Sequence, residues 1–196
     1  MIRCGLLLVT TEDGAVSDEL SGEIRLLLRR ALPSLVFVRE QSVGSDRHLI
    51  SELLRRWCDE DEMELVLTIG GTFPASGHSN EQITPEATAD VIERAMPSLP
   101  EAMRIYAVEE NPSALLDRGV AGIRARTLLL NLPGEEGLAV LFLGSVVDLL
   151  SPILDRLRPV SEEATAPADQ DKSLSPKRIG LNAQEFTDFL ASRQGK

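Results

Sequence analysis

Apolar positions follow two rhythms that alternate along the chain. Residues 2–10 form a continuous apolar run, the pattern of a strand buried on both faces. Residues 17–32 then place Leu20, Ile24, Leu27, Leu28 and Ala31 at helical spacing, and Pro33 stops the helix. Residues 35–39 predict a second strand, and Asp46 an N-cap for a helix striped by Leu49, Ile50, Leu53, Leu54 and Trp57. A third buried strand, 63–69, runs straight into Gly70 and Gly71. Thr84-Pro85-Glu86 reads as a helix start, with Thr as cap, Pro at the first helical position and an acid in the first turn, and the helix is predicted to reach about Met96. Helical stretches follow at 100–108 and 112–118, the latter ended by Gly119. Residues 120–123 and 127–132 look like a pair of strands around Arg124-Ala125-Arg126, and 135–157 like a last long helix, bent at Pro152.

This alternation predicts an α/β fold of three layers, α/β/α, with a mainly parallel sheet. Ligands in such sheets bind beyond the carboxyl ends of the strands, which points to the loops at 10–14, 70–83 and 131–136. From residue 160 the composition turns to Ser, Glu, Ala, Pro, Asp and Gln. The expected organisation is therefore an α/β domain at 1–159, a linker at 160–175, and an extension at 176–196. A short amphipathic helix is expected there over 183–192, with Phe186, Phe189 and Leu190 on one side.

Charge narrows the function. The 196 residues hold 31 Asp plus Glu against 20 Lys plus Arg, a net −11, which disfavours nucleic acid and anionic membrane surfaces as partners. The first apolar run stops at Thr10 without a cleavage pattern, and no uninterrupted apolar stretch approaches the roughly 20 residues of a membrane span. Cys4 and Cys58 lack metal or disulfide spacing and read as inert thiols of a cytoplasmic protein.

The candidate chemistry lies in the loops. Gly70-Gly71, directly after a buried strand, lets backbone approach a ligand and offer N–H groups to an anion, with the start of the Thr84 helix as a second positive pole. A tight turn and nothing more is the competing reading. LVLTIGGT (65–72), ITPEAT (83–88) and GVAGIRARTLLLNLPG (119–134) occur in this order. The combination resembles the MoaB/Mog family of molybdenum cofactor biosynthesis, with its TTGGTG loop, RDxTPEA helix start and SRxxxGxRxxxLxxNLPGSP segment, over about residues 2–158.

The resemblance implies molybdopterin binding, and adenylylation of molybdopterin by ATP with Mg²⁺, in a homotrimer or hexamer that could meet other proteins of molybdenum cofactor synthesis. It places Gly70, Gly71 and Thr72, then Thr84, Pro85 and Glu86, then Arg118, then Asn131, Leu132, Pro133 and Gly134 at the pterin and phosphates. Gly122 and Arg124 match GxR. The departures fall on the chemistry. Phe73 replaces the fourth residue of GGTG, the following loop is longer, the RD pair becomes Glu81-Gln82, and the acidic turn becomes Ser45-Asp46. Asp46, Glu81 and Gln82 are accordingly the candidate catalytic residues, with Asp46 and Glu81 as candidate Mg²⁺ ligands. Activity as a nucleotidyltransferase is favoured. A non-catalytic relative that binds the pterin or serves as an interaction module is the alternative.

Overall fold

The computed structural model describes residues 1–75 and 82–158. The expected linker and extension, with the helix at 183–192, lie outside the described residues, as does Glu81.

Strands β1 (Ile2–Thr10), β2 (Leu35–Gly44), β3 (Leu65–Ile69), β4 (Arg94–Ala95), β5 (Ala121–Arg124) and β6 (Thr127–Leu132) form one sheet in the order β2-β1-β3-β6-β5-β4. The first four in that order are parallel, and β5 and β4 add an antiparallel edge. The helices are α1 (Asp18–Ala31), α2 (Arg47–Asp59), α3 (Thr84–Ala89), α4 (Ser98–Ala107) and α5 (Glu136–Leu157). Successive side chains of a strand point to opposite faces, so a wholly apolar strand requires a core on each side. Cys4, Leu6 and Leu8 of β1 and Leu128, Leu130 and Leu132 of β6 share a core with Ile24 of α1, Met103 of α4 and Phe142 of α5. Leu7, Val9 and Leu129 point the other way, onto Ile50, Leu54 and Trp57 of α2 and Ala87 of α3. The expected three layers follow from these two cores. Helix α5 is long and apolar enough to cross a membrane by composition, yet Leu138, Phe142, Val146, Leu150 and Leu154 are buried against the sheet and its helices.

Three elements depart from the pattern-based expectation. Helix α3 ends at Ala89 instead of near Met96. The amides of Val91 and Ile92 both turn back to the Thr88 carbonyl, after which Glu93 N–H donates to Ile123 and Met96 N–H to Ala121. A β-branched pair beside an open sheet edge favours strand pairing over another helical turn. Strand β2 continues to Gly44 because its register with β1 runs on to Thr10, although Glu40, Gln41 and Ser42 are exposed and polar. Residues Pro112–Leu116 form a 3₁₀ turn, which Asn111 starts by accepting from Ser113 N–H at 3.0 Å.

Both cysteines are free and buried, and burial pushes both thiols up, Cys58 to about 11. Neither is a reactive thiolate near neutral pH.

Candidate functional site

Because β1, β3 and β6 are parallel neighbours, their carboxyl ends open together, and the loops that follow line a cleft of about 300 Å³. Its walls include Asp13, Gly71, Thr72, Gln82, Gly134 and Glu135, so the three loops singled out in the sequence converge here. The turn after β3 is left-handed, with φ of 97° at Gly70 and 70° at Gly71. A Cβ at Gly71 would lie 2.4 Å from Thr84 Oγ1, so only glycine fits this position on both counts. Gly134 approaches so closely that its own Cβ would stand 3.3 Å from Gly70 Cα. The GGT and NLPG segments, about 60 residues apart in the chain, thus touch backbone to backbone. Gly70 N–H is spent on the Leu132 carbonyl at 2.9 Å and is not offered to a ligand.

Thr84 is not the helix cap. Ile83 occupies the cap position without a side-chain bond, Thr84 is the first helical residue, and its N–H donates to the Gly71 carbonyl at 3.2 Å. Its buried hydroxyl has no partner. Pro85 is buried beneath the turn. With only six residues, α3 does not supply the second positive pole expected of it.

Behind the cleft runs a chain of side chains. Glu86 accepts from Arg118 Nη1 at 2.5 Å, Arg118 Nη2 donates to the Gln82 carbonyl at 2.6 Å, and Arg118 N–H donates to the Thr72 carbonyl at 2.9 Å. Arg118 therefore fastens the two loops together and does not line the cleft, contrary to the role as an anion ligand expected for it. Gln82 adopts a left-handed conformation (φ 60°), is 3% exposed, and donates from Nε2 to Asp13 Oδ2 at 2.5 Å. Asp13 is the residue that sequence reasoning passed over. Its loop was singled out, but nothing local links residue 13 to residue 82.

Asp117 lies under Thr72. Its side chain has no exposed surface, and Oδ2 accepts from Gly119 N–H at 3.0 Å and pairs with Arg104 at 3.3 Å. Burial pushes its carboxyl up from the ordinary value, against the lowering influence of Thr72, Gly119 and Arg104. Thr72 Oγ1 and Asp117 Oδ1 are buried without a hydrogen-bond partner of good geometry.

Other expected ligands serve the fold. Asn131 is fully buried, with Nδ2 donating to Thr68 and Thr88 hydroxyls at 2.7 and 2.9 Å and Oδ1 accepting from Val120 N–H at 3.0 Å. Its amide joins β6 to β3 and to α3, and both of its donors are committed there. Leu132 contributes its carbonyl to Gly70. Asp46 caps α2, accepting from Leu49 N–H at 2.8 Å, and does not line the cleft. Arg124 pairs with Asp59 at the other end of the sheet, beside the hairpin turn. Phe73 is half-buried, packed against the core, and forms part of the cleft wall.

No group of three or more metal-ligating side chains occurs among the described residues. Among the described residues the acids at the cleft are Asp13 and Glu135, and Asn111 donates to Glu135 at 2.8 Å. That donor set suits Mg²⁺, which is usually held by one or two carboxylates together with substrate phosphates and water.

Comparison with known proteins agrees with this geometry. The profile of the family described as "Probable molybdopterin binding domain" matches residues 14–155. The molybdopterin adenylyltransferase of Helicobacter pylori (strain J99) is 39% identical over 121 residues, covering 61% of this chain and 66% of that protein. The chain thus spans just under two-thirds of that relative's length. The enzyme of the same name from Haemophilus influenzae is 34% identical over 137 residues, covering 69% of this chain and 68% of that one. Among solved structures, the molybdopterin biosynthesis enzyme MoaB from Thermus thermophilus superposes with a TM-score of 0.61 at 34% identity, covering 79% of this chain and 98% of its own. The molybdopterin biosynthesis Mog protein from Mycobacterium ulcerans gives 0.69 at 26% identity, with coverage of 81% and 100%.

Proposed function

Since the chain belongs to the molybdopterin-binding domain family of molybdenum cofactor biosynthesis, we propose that it adenylylates molybdopterin. The observation that carries this reading is the backbone contact between Gly134 and the Gly70-Gly71 turn, which brings the three loops together around the cleft. In the reaction, an oxygen of the pterin phosphate attacks the α-phosphorus of ATP. The new P–O–P bond forms as the bond to the β-phosphate breaks, and pyrophosphate leaves. Phosphoryl chemistry of this kind asks the protein mainly to position the reactants and neutralise charge.

The residues can be given roles on that basis. Gly71 and Gly134 let backbone come close to the phosphates. Thr72, whose buried hydroxyl makes no hydrogen bond of good geometry, offers one polar contact at the cleft wall. Asp13 and Glu135 are the carboxylates in reach of Mg²⁺, which when bound would neutralise phosphate charge. Thr84, Glu86, Arg118 and Asn131 hold the loops in place, and Asp46 acts as a helix cap. Assembly as a trimer or hexamer is part of the same reading.

Incubating the full chain with molybdopterin, ATP and Mg²⁺ tests it. Stoichiometric release of pyrophosphate with formation of adenylylated pterin is expected. Tight pterin binding without pyrophosphate release would replace the enzyme by a carrier.

A further inference from the structure

The cleft is short of positive charge. Asp13 and Glu135 are the ionisable residues lining it among the described residues, and no Lys or Arg joins them. The sequence from Phe73 to Gln82 adds neither Lys nor Arg. Arg118 is outside the lining and is paired with Glu86 and the Gln82 carbonyl. A phosphate ester entering alone would meet carboxylates and gain only backbone and hydroxyl donors.

Asp13 is the more available of the two acids. Glu135 is engaged by Asn111. Asp13 is exposed, and only Oδ2 is engaged, by the Gln82 amide; Oδ1 has no hydrogen bond among the described contacts. Gln82 is aimed by its own restraints, a left-handed backbone and the grip of Arg118 on its carbonyl. Thr72, 1% exposed, lines the same cleft, and its hydroxyl, which bears on the Asp117 carboxyl, makes no hydrogen bond of good geometry.

We propose that Asp13 is the carboxylate that holds the divalent cation with which a nucleoside triphosphate enters this cleft, and that Gln82 is the positioning residue that presents it. The assignment rests on the reading that ATP is a substrate. It moves the acidic function across the cleft: residue 82, an amide and a poor ligand for Mg²⁺, steers a carboxylate instead of supplying one.

The test uses the full chain and Mn²⁺ as probe. Electron paramagnetic resonance counts free Mn²⁺ in the presence and absence of ATP, and calorimetry follows ATP with and without the metal. Wild type is expected to bind ATP weakly alone and much more tightly with Mn²⁺. Asp13→Asn should weaken Mn²⁺-dependent binding on the order of a hundredfold while metal-free ATP binds as well as before or better. Gln82→Asn keeps a side chain that tolerates the left-handed backbone but is one methylene too short, and should cost about tenfold. Circular dichroism confirms that both variants fold. Unchanged Mn²⁺-dependent affinity in Asp13→Asn overturns the assignment alone. Wild type binding ATP equally well without metal does the same. Failure of wild type to take up ATP under either condition removes the adenylylation reading and this assignment with it.

Discussion

The two ends of the sheet hold cavities of similar size, about 300 Å³ at the carboxyl end and about 380 Å³ at the amino end, with their polar groups in opposite states. At the amino end charge is paired. Arg124 grips Asp59, Arg158 grips Glu64 and Asp155, and Arg3 donates to the Asp61 carbonyl, leaving Arg3 Nε as the unpartnered buried atom there. At the carboxyl end Thr72 Oγ1, Thr84 Oγ1 and Asp117 Oδ1 are all buried without partners, around a turn of two left-handed glycines. Volume does not separate the two ends. Unsatisfied polar atoms and costly backbone mark the carboxyl one, because folding gains nothing from leaving them so.

The sharpest way to break this contrast is Gly71→Ala. The left-handed backbone and the clash with Thr84 together should cost about 3 kcal/mol of stability and abolish pyrophosphate release. Thermal unfolding and the coupled assay check both, and retention of full turnover would mean that the turn is not part of the site.

Next in size is a pH signature of opposite sign at the two ends. Asp117 is pushed up by burial, so its contribution to stability is present below the ordinary carboxylate value and is lost as pH rises through its folded value. Asp59 is held down first by its hydrogen bond from Arg124, so its contribution is present above the ordinary value and is lost as pH falls through the folded one. Melting temperatures from about pH 3 to about pH 8 should show Asp117→Asn gaining on wild type as pH rises. Asp59→Asn should close its deficit as pH falls. Parallel curves for the two variants would erase the distinction.

The smallest effect belongs to Arg124→Ala. Removing the guanidinium that pairs with Asp59 and Glu93 and donates to the Val91 carbonyl should cost about 1 kcal/mol and leave pyrophosphate release within about twofold of wild type. A large loss of turnover would draw the amino end into the chemistry.

The same contrast explains what was legible in the sequence. Strands β1, β3 and β6 announce themselves because burial on both faces demands apolar residues at most positions. The outer half of β2 and all of β4 are held at sheet edges by backbone pairing, which accepts polar side chains, so no hydrophobic rhythm betrays them. The glycine turn was readable because its left-handed conformation restricts residue choice, and the NLPG segment through the family resemblance. The pairing of Gln82 with Asp13 was not, since a side-chain bond between loops 69 positions apart leaves no local pattern. Arg118 and Asn131 stand out in the sequence, and the structure spends Asn131 on the fold and pairs Arg118 with Glu86 and the Gln82 carbonyl: a polar residue that holds loops together and a ligand can look alike in sequence.

The two cysteines of the chain, both sealed in the cores, make the wild-type protein almost silent toward thiol reagents. A single Ala15→Cys change on the exposed rim of the cleft would then give one labelling position without a prior cysteine-free background. A fluorophore attached there would turn loop movement upon substrate entry into a signal read in real time.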